Sequence, residues 1–322
     1  MTLRTVSLLG GPESGKSTYL GAVLDALLNG QTDRISVLAE AADNAVITRL
    51  TEPLLDGYYP SRTSADQRLA CEVHLGYQGD RGAPEPFTLS VGDYDGEEVE
   101  RLFDNRVEGW SPAWRSRAGA DVLLLAMRPA AIVPLPRIGR TAPRPPSPTR
   151  EFGVDPTSVF GPGLADAELP ERHRAEPDEP IRIPVITVLA LIELLQFIRH
   201  ARGLAPGQRP RDGRLRVGVM LTAWDAIPSE WQTRPPADYL AQHVPLLVDF
   251  LRSNFLDVDL MCFGVSATGG DLNDDEHRTR YLNAPGGFVV WADAQGGVQK
   301  RQDLALPLRW ALFGDASMRH DP

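Results

Sequence analysis

Eight consecutive residues, Gly10-Gly11-Pro12-Glu13-Ser14-Gly15-Lys16-Ser17, fit the pattern G-x-x-x-x-G-K-[ST], whose chemistry is to hold the phosphates of a nucleotide. Glycines let the backbone bend around phosphate and turn its amide hydrogens inward, and a helix that starts at the end of the loop adds the positive end of its dipole. Lys16 is expected on the β and γ phosphates. The Ser17 hydroxyl is expected on magnesium, an ion that keeps several waters and takes few protein ligands; Thr18 closes the run of nucleotide-binding candidates. Lys16 and Lys300 are the only lysines in the chain, so the motif's required lysine does not arise from a lysine-rich background.

Three further patterns follow in order. Asp93-Tyr94-Asp95-Gly96 fits D-x-x-G, in which the aspartate (Asp93) holds a magnesium-bound water and the glycine amide (Gly96) meets the γ-phosphate. An acidic turn after a strand gives the same letters. Thr222-Ala223-Trp224-Asp225 stands where guanine-binding proteins carry [NT]-K-x-D, whose carboxylate accepts N1-H and the N2 amine of guanine. Ala223 replaces the lysine that normally lies along the base; Trp224 either stacks in compensation or belongs to the core. Asp225 either reads the base or caps a helix. Ser266-Ala267 matches a short S-A element whose backbone amide contacts the guanine oxygen.

These residues need strands that end beside one another. Thr5 to Leu9 is an apolar run of strand formers, and after Ser17 the residues Leu20, Val23, Leu24, Leu27 and Leu28 recur at helical spacing until Asn29-Gly30. A strand at Ile35 to Ala39, a helix from Asp43 to Asp56, strands at Ala70 to Tyr77 and Phe87 to Val91 as antiparallel neighbours, and a helix from Glu97 to Val107 come next. Asp121 to Met127 reads as a strand buried on both faces. Residues 128–183 form a proline-rich insertion, read as an extended loop, a polyproline docking site or a lid. Beyond it we expect a helix from Pro184 to Arg202, strands at Leu215 to Leu221 and Asp259 to Val265, and helical segments from Asp238 to Asn254 that restart at Pro245. Residues 284–322 are expected to append a hairpin around Gly296-Gly297 and a short helix near Leu308 to Phe313. The whole, 1–322, reads as a single enlarged domain.

The 43 acidic residues outnumber the 33 basic ones, and a net charge of -10 repels nucleic acid. Positive charge carried almost wholly by arginine suggests a GC-rich bacterial genome. Cys71 and Cys262 stand alone, which argues against a disulfide framework and a cysteine zinc site. The apolar stretch at the N-terminus is too short for a signal peptide, and Val185 to Ile198 is too short to span a bilayer, so a cytoplasmic protein without a membrane partner is expected. The six histidines are scattered, and the acidic cluster Asp271, Asp274, Asp275 and Glu276 reads as a solvated loop.

The four motifs in this order resemble the Ras-like GTPase superfamily, and most closely the bacterial double-GTPases. The resemblance implies a P-loop α/β fold with a mixed, mostly parallel sheet of order 2-3-1-4-5-6, one strand antiparallel, flanked by helices, with GTP or GDP and Mg2+ at the carboxyl ends of the strands. It implies that 58–63 is the first switch, with Thr63 on magnesium and γ-phosphate; Thr51 and Ser64 stand nearby as alternatives. Glu97 occupies the place of a water-orienting glutamine, which makes slow hydrolysis the expectation, and Arg62, Arg128, Arg137 and Arg140 are candidates for an arginine that speeds it. A protein partner or companion GTPase would read the nucleotide state. The rivals are an ATPase or small-molecule kinase on the same phosphate loop, and a nucleotide-bound scaffold that never turns over.

Overall fold

The computed structural model describes residues 5–11, 13–39, 44–61, 69–79, 84–93, 114–115, 118–132, 187–205, 208, 210, 215–256 and 259–314. The chain divides into two compact units, Met1–Pro134 with Val185–Pro322, and Leu135–Pro184. The second unit lies outside the described residues. So do all of the expected insertion beyond residue 132, the expected helix from Glu97, and Pro12, Thr63, Gly96 and Glu97.

Strand β1 (Thr5–Leu9) leads through the glycine loop into α1 (Lys16–Leu28). Then come β2 (Ile35–Ala39), α2 (Asn44–Leu55), β3 (Leu69–Tyr77), β4 (Glu85–Asp93), β5 (Val122–Met127) and α3 (Thr187–Ala201). They are followed by β6 (Arg216–Thr222), the short α4 (Ser229–Gln232), α5 (Pro236–His243), α6 (Pro245–Asn254), β7 (Leu260–Ser266), α7 (Asp275–Asn283), β8 (Phe288–Ala292), β9 (Val298–Arg301) and α8 (Leu306–Phe313). The restart at Pro245 is as the sequence suggests: Val244 leaves helical geometry at φ -136, and proline opens α6, where its missing N-H has no helical partner to lose.

Nine strands form one sheet in the order β2-β3-β4-β1-β5-β6-β7-β8-β9. The six-stranded expectation with one antiparallel strand is too small. Four strands, β4, β5, β6 and β7, lie parallel to β1 through consecutive parallel pairings, while β3 and β8 run against it. The extra strands lie at the edges: β2 pairs beyond β3, and the C-terminal hairpin of β8 and β9 continues the sheet from β7.

Successive residues of the central strands point to opposite faces, so each strand feeds two cores. Leu124, Met220 and Phe263 face α1, α2 and α8; Leu123, Leu125, Val219 and Leu221 face α3, α5 and α6. This is why β5 reads as an unbroken apolar run, since all six of its residues are buried. Helix α8 fills the first core with Leu306, Leu308 and Trp310. The acidic cluster, read as loop, is in fact exposed loop running into α7: Asp274 caps the helix by accepting from the His277 N-H at 2.7 Å, and Asp275 and Glu276 lie in the first turn, where the dipole favours them.

Candidate functional site

Because β1, β5, β6 and β7 are parallel neighbours, the residues that follow them gather along one edge of the sheet: Gly10, Arg128, Ala223 and Ala267. The glycine loop turns there through left-handed backbone at Glu13 (φ 55) and Gly15 (φ 77). Gly10 has no room for a side chain, since a Cβ would sit 2.5 Å from the Ala126 carbonyl oxygen and 2.7 Å from Ser14 Oγ; at Gly11 it would meet nothing within 4 Å. The first motif glycine thus permits the loop to cross β5 closely.

Lys16, only 7% exposed, folds its ammonium back over the loop. Its Nζ donates to the carbonyls of Gly10 (2.6 Å) and Gly11 (2.9 Å) and to Ser14 Oγ (3.0 Å), which fixes a positive charge against the loop. Gly15 caps α1 without a side-chain hydrogen bond, and the first turn holds no acidic residue. The amides and dipole of a thirteen-residue helix thus start at the place where the motif needs an anion, with no acidic residue in the first turn. Ser17 and Thr18, both partly exposed, lie in this first turn.

Thr222, the last residue of β6, is buried, and its hydroxyl donates to the Ser14 carbonyl at 2.7 Å, with the Met127 carbonyl at 3.4 Å. It straps the phosphate loop to the third motif. Ala223 follows in left-handed backbone (φ 50, ψ 45), and Trp224 to Ala226 make one tight helical turn. Trp224 belongs to the core and does not stack on a ligand: it is fully buried, edge-on to Tyr239 at 5.8 Å, and its ring lies where a Cβ on Gly264 would be, 2.4 Å away. Asp225 is partly exposed and caps no helix, because the N-cap of α4 is Pro228. Gln232 Nε2 braces the turn's backbone by donating to the carbonyls of Asp225 (3.0 Å) and Ile227 (2.9 Å).

Ser266 is fully buried, and its Oγ accepts from the Gly269 N-H at 2.9 Å, folding the chain after β7 back on itself. Ala267 is partly buried. Gly269 takes φ 75, and a Cβ there would meet the Gly286 carbonyl oxygen at 2.4 Å. The Thr268 hydroxyl donates to the Gly270 carbonyl (2.6 Å), and His277 Nε2 lies 3.0 Å from the Thr268 carbonyl. His277 was only one of six scattered histidines in the sequence; it underpins this loop.

Of the expected first switch, 58–61 are described. Tyr59, which no local signal marks, donates its hydroxyl to Asp271 Oδ1 and accepts from the Leu272 N-H, both at 3.0 Å. The Asp271 carboxyl is held below the usual carboxylate range, first by the Asn273 backbone N-H and further by the Tyr59 hydroxyl. Thr51 is removed as an alternative to Thr63: it lies inside α2, buried, with its hydroxyl on the Ile47 carbonyl at 3.0 Å. Asp93 is the last residue of β4, which runs parallel to β1 with Ser90 opposite Ser7, so its backbone ends at the same edge as Gly10. Arg128, exposed, follows β5 at that edge.

No helix among the described residues is long and apolar enough to cross a membrane. No curated protein gives a match. Among solved structures the chain is similar to the signal recognition particle receptor SRb-GTP/SRX complex from Chaetomium thermophilum, at 12% identity and a TM-score of 0.36, over 87% of this chain and 98% of that one. A family model described as Double-GTPase 1 matches residues 7–311, from β1 through most of α8. The chain belongs to the Double-GTPase 1 family, which makes it a guanine-nucleotide-binding protein.

Proposed function

We propose that this protein binds guanine nucleotide with magnesium at the carboxyl edge of β1, β6 and β7 and switches between nucleotide states that a protein partner reads. The observation that carries this reading is the joining of the two ends of the site by Thr222, which ties the Lys16 loop to the Asp225 turn within 2.7 Å. Six strands support the Ras-like interpretation: β3, β4, β1, β5, β6 and β7 stand in the order that a 2-3-1-4-5-6 sheet has when numbered along its own chain.

In this reading Lys16 and the amides of the loop hold the β and γ phosphates, and Ser17 and Asp93, the last residue of β4, would hold the metal. Magnesium held by these residues would supply neutralisation of the charge on the phosphates. Thr63 would close on the γ-phosphate, Gly96 would offer its amide to it, and Glu97 would orient water, with hydrolysis slow because a carboxylate adds negative charge beside phosphate. Asp225 accepts the two guanine donors, and the Ser266-Ala267 turn offers backbone N-H to the base oxygen. A cytoplasmic location fits this chemistry.

Ala223 favours one second reading, an ATP-using enzyme on the same loop, because neither a lysine nor Trp224 lies along the base. Competition of bound fluorescent GDP by GDP and by ADP, with magnesium, separates the two. GDP alone should compete, and Asp225→Ala should erase that preference. Equal competition by ADP, with Asp225→Ala silent, would leave the ATP reading standing.

A further inference from the structure

The chain from Ala267 to Asp274 connects the base-side motif at the end of β7 to α7, and it is bonded by a side chain 212 residues earlier. One Tyr59 hydroxyl serves two atoms of this loop, donating to Asp271 Oδ1 and accepting from the Leu272 N-H, each at 3.0 Å. The same carboxylate oxygen accepts from the Asn273 N-H and from Asn273 Nδ2, both at 3.0 Å, so the tyrosine closes a turn that is already bonded to itself.

Delivery of Tyr59 to that point is built into the end of α2. Gly57 takes φ 77 just past the helix, its N-H donates to the Leu54 carbonyl at 3.0 Å, and the Tyr58 N-H reaches the Pro53 carbonyl at 2.7 Å. These paired bonds are a glycine-terminated helix end, which fixes the direction of the chain that leaves it. The Arg278 side chain then lies against Gly57, where a Cβ would be 2.8 Å from its Cγ, and its guanidinium is 5.4 Å from the centre of the Tyr58 ring. From α7, His277 supports the other part of the loop through the Thr268 carbonyl.

We propose that Tyr59 is a positioning residue for guanine: by pinning the loop 267–274 it holds the Ser266-Ala267 turn where its backbone N-H meets the base oxygen. The proposal rests on the guanine reading above and adds to it the residue on which the base-side loop depends. A loop amide contributes to affinity only while its geometry is kept within a few tenths of an ångström, and a loop that must be ordered on binding gives up part of that contribution. Removal of one hydroxyl at Tyr59 deletes both bonds that tie this loop to the end of α2 through that side chain.

The test uses the full chain with magnesium and two nucleotides: GDP, and 2-aminopurine riboside diphosphate, which has the same phosphates but lacks the O6 acceptor and the N1 hydrogen. The wild type should prefer GDP. Tyr59→Phe should weaken GDP about five- to tenfold, as expected for the loss of about one hydrogen bond's contribution, while the aminopurine nucleotide stays within about twofold of its wild-type affinity. Asp271→Ala, which removes the acceptor, should act in the same direction, and the double variant should cost less than the two single losses combined, because the bond between Tyr59 and Asp271 is common to both. Equal weakening of both nucleotides would make Tyr59 a fold-stabilising residue and overturn the proposal, as would unchanged GDP binding in both single variants. A wild type that binds the two nucleotides equally, with Asp225→Ala also silent, would overturn the guanine reading itself and the proposal with it.

Discussion

The phosphate end and the base end of the site are built by opposite means. At the phosphate end one short stretch, 10–17, supplies the turn, the cation and the helix start, and Lys16 finds its partners at Gly10, Gly11 and Ser14 within that stretch. At the base end the Asp225 turn, the Ser266 loop, Tyr59 from the end of α2 and His277 from α7 come from four places along the chain. A contiguous device fails when one of its own residues changes; an assembled one fails when any of its distant supports moves.

The largest expected effect breaks the contiguous end. Lys16→Ala removes a nearly buried ammonium with three acceptors, and with it the loop's own positively charged side chain. Two charge-assisted bonds to phosphate at roughly 1.5–3 kcal/mol each predict a loss of about 100-fold or more in GDP affinity. Equilibrium binding measures it, and a loss under tenfold would mean that phosphate is held mainly by the loop amides.

A smaller effect sharpens the comparison inside the loop itself. Gly10→Ala forces a Cβ to within 2.5 Å of a backbone oxygen on β5, whereas Gly11→Ala has open space. Overpacking of this kind costs about 1–3 kcal/mol, so thermal melting should fall by several degrees for Gly10→Ala and stay within about a degree for Gly11→Ala. Equal melting of the two would show that the loop relaxes away from β5 freely.

This division also explains what could be read from the sequence. The phosphate loop was legible because its spacing is fixed by chemistry within eight residues, and β5 because a strand covered on both faces must be apolar throughout. The nine-stranded sheet was not, since β2 and the β8-β9 hairpin join through pairings that no single strand's pattern specifies. Trp224 carried no sign of its side: an indole beside a base-reading aspartate is equally suited to stacking or core, and only the missing side chain at Gly264 decides for the core. The helix at Asp275 had a readable signal, an aspartate cap followed by two acidic residues, which the acidic cluster as a whole obscured. Tyr59 had none, because the meaning of its hydroxyl lies 212 residues further on.

Thr222 gives the finest probe, because its hydroxyl belongs to the base-side motif and its acceptor to the phosphate loop. Thr222→Val keeps the shape against Gly15, where a Cβ would already lie 2.8 Å from the threonine hydroxyl, and deletes the 2.7 Å bond to the Ser14 carbonyl together with the longer, 3.4 Å contact with the Met127 carbonyl. A buried hydrogen bond of this type contributes about 1 kcal/mol, so melting should drop by about 2–4 °C and GDP affinity by about fivefold. If the two ends are coupled through this strap, the same substitution made on top of Asp225→Ala should cost less GDP affinity than it does alone. Full additivity in that double variant would mean that the phosphate loop and the base-reading turn are held independently, each by its own strand, and that Thr222 serves the stability of β6 rather than the union of the site.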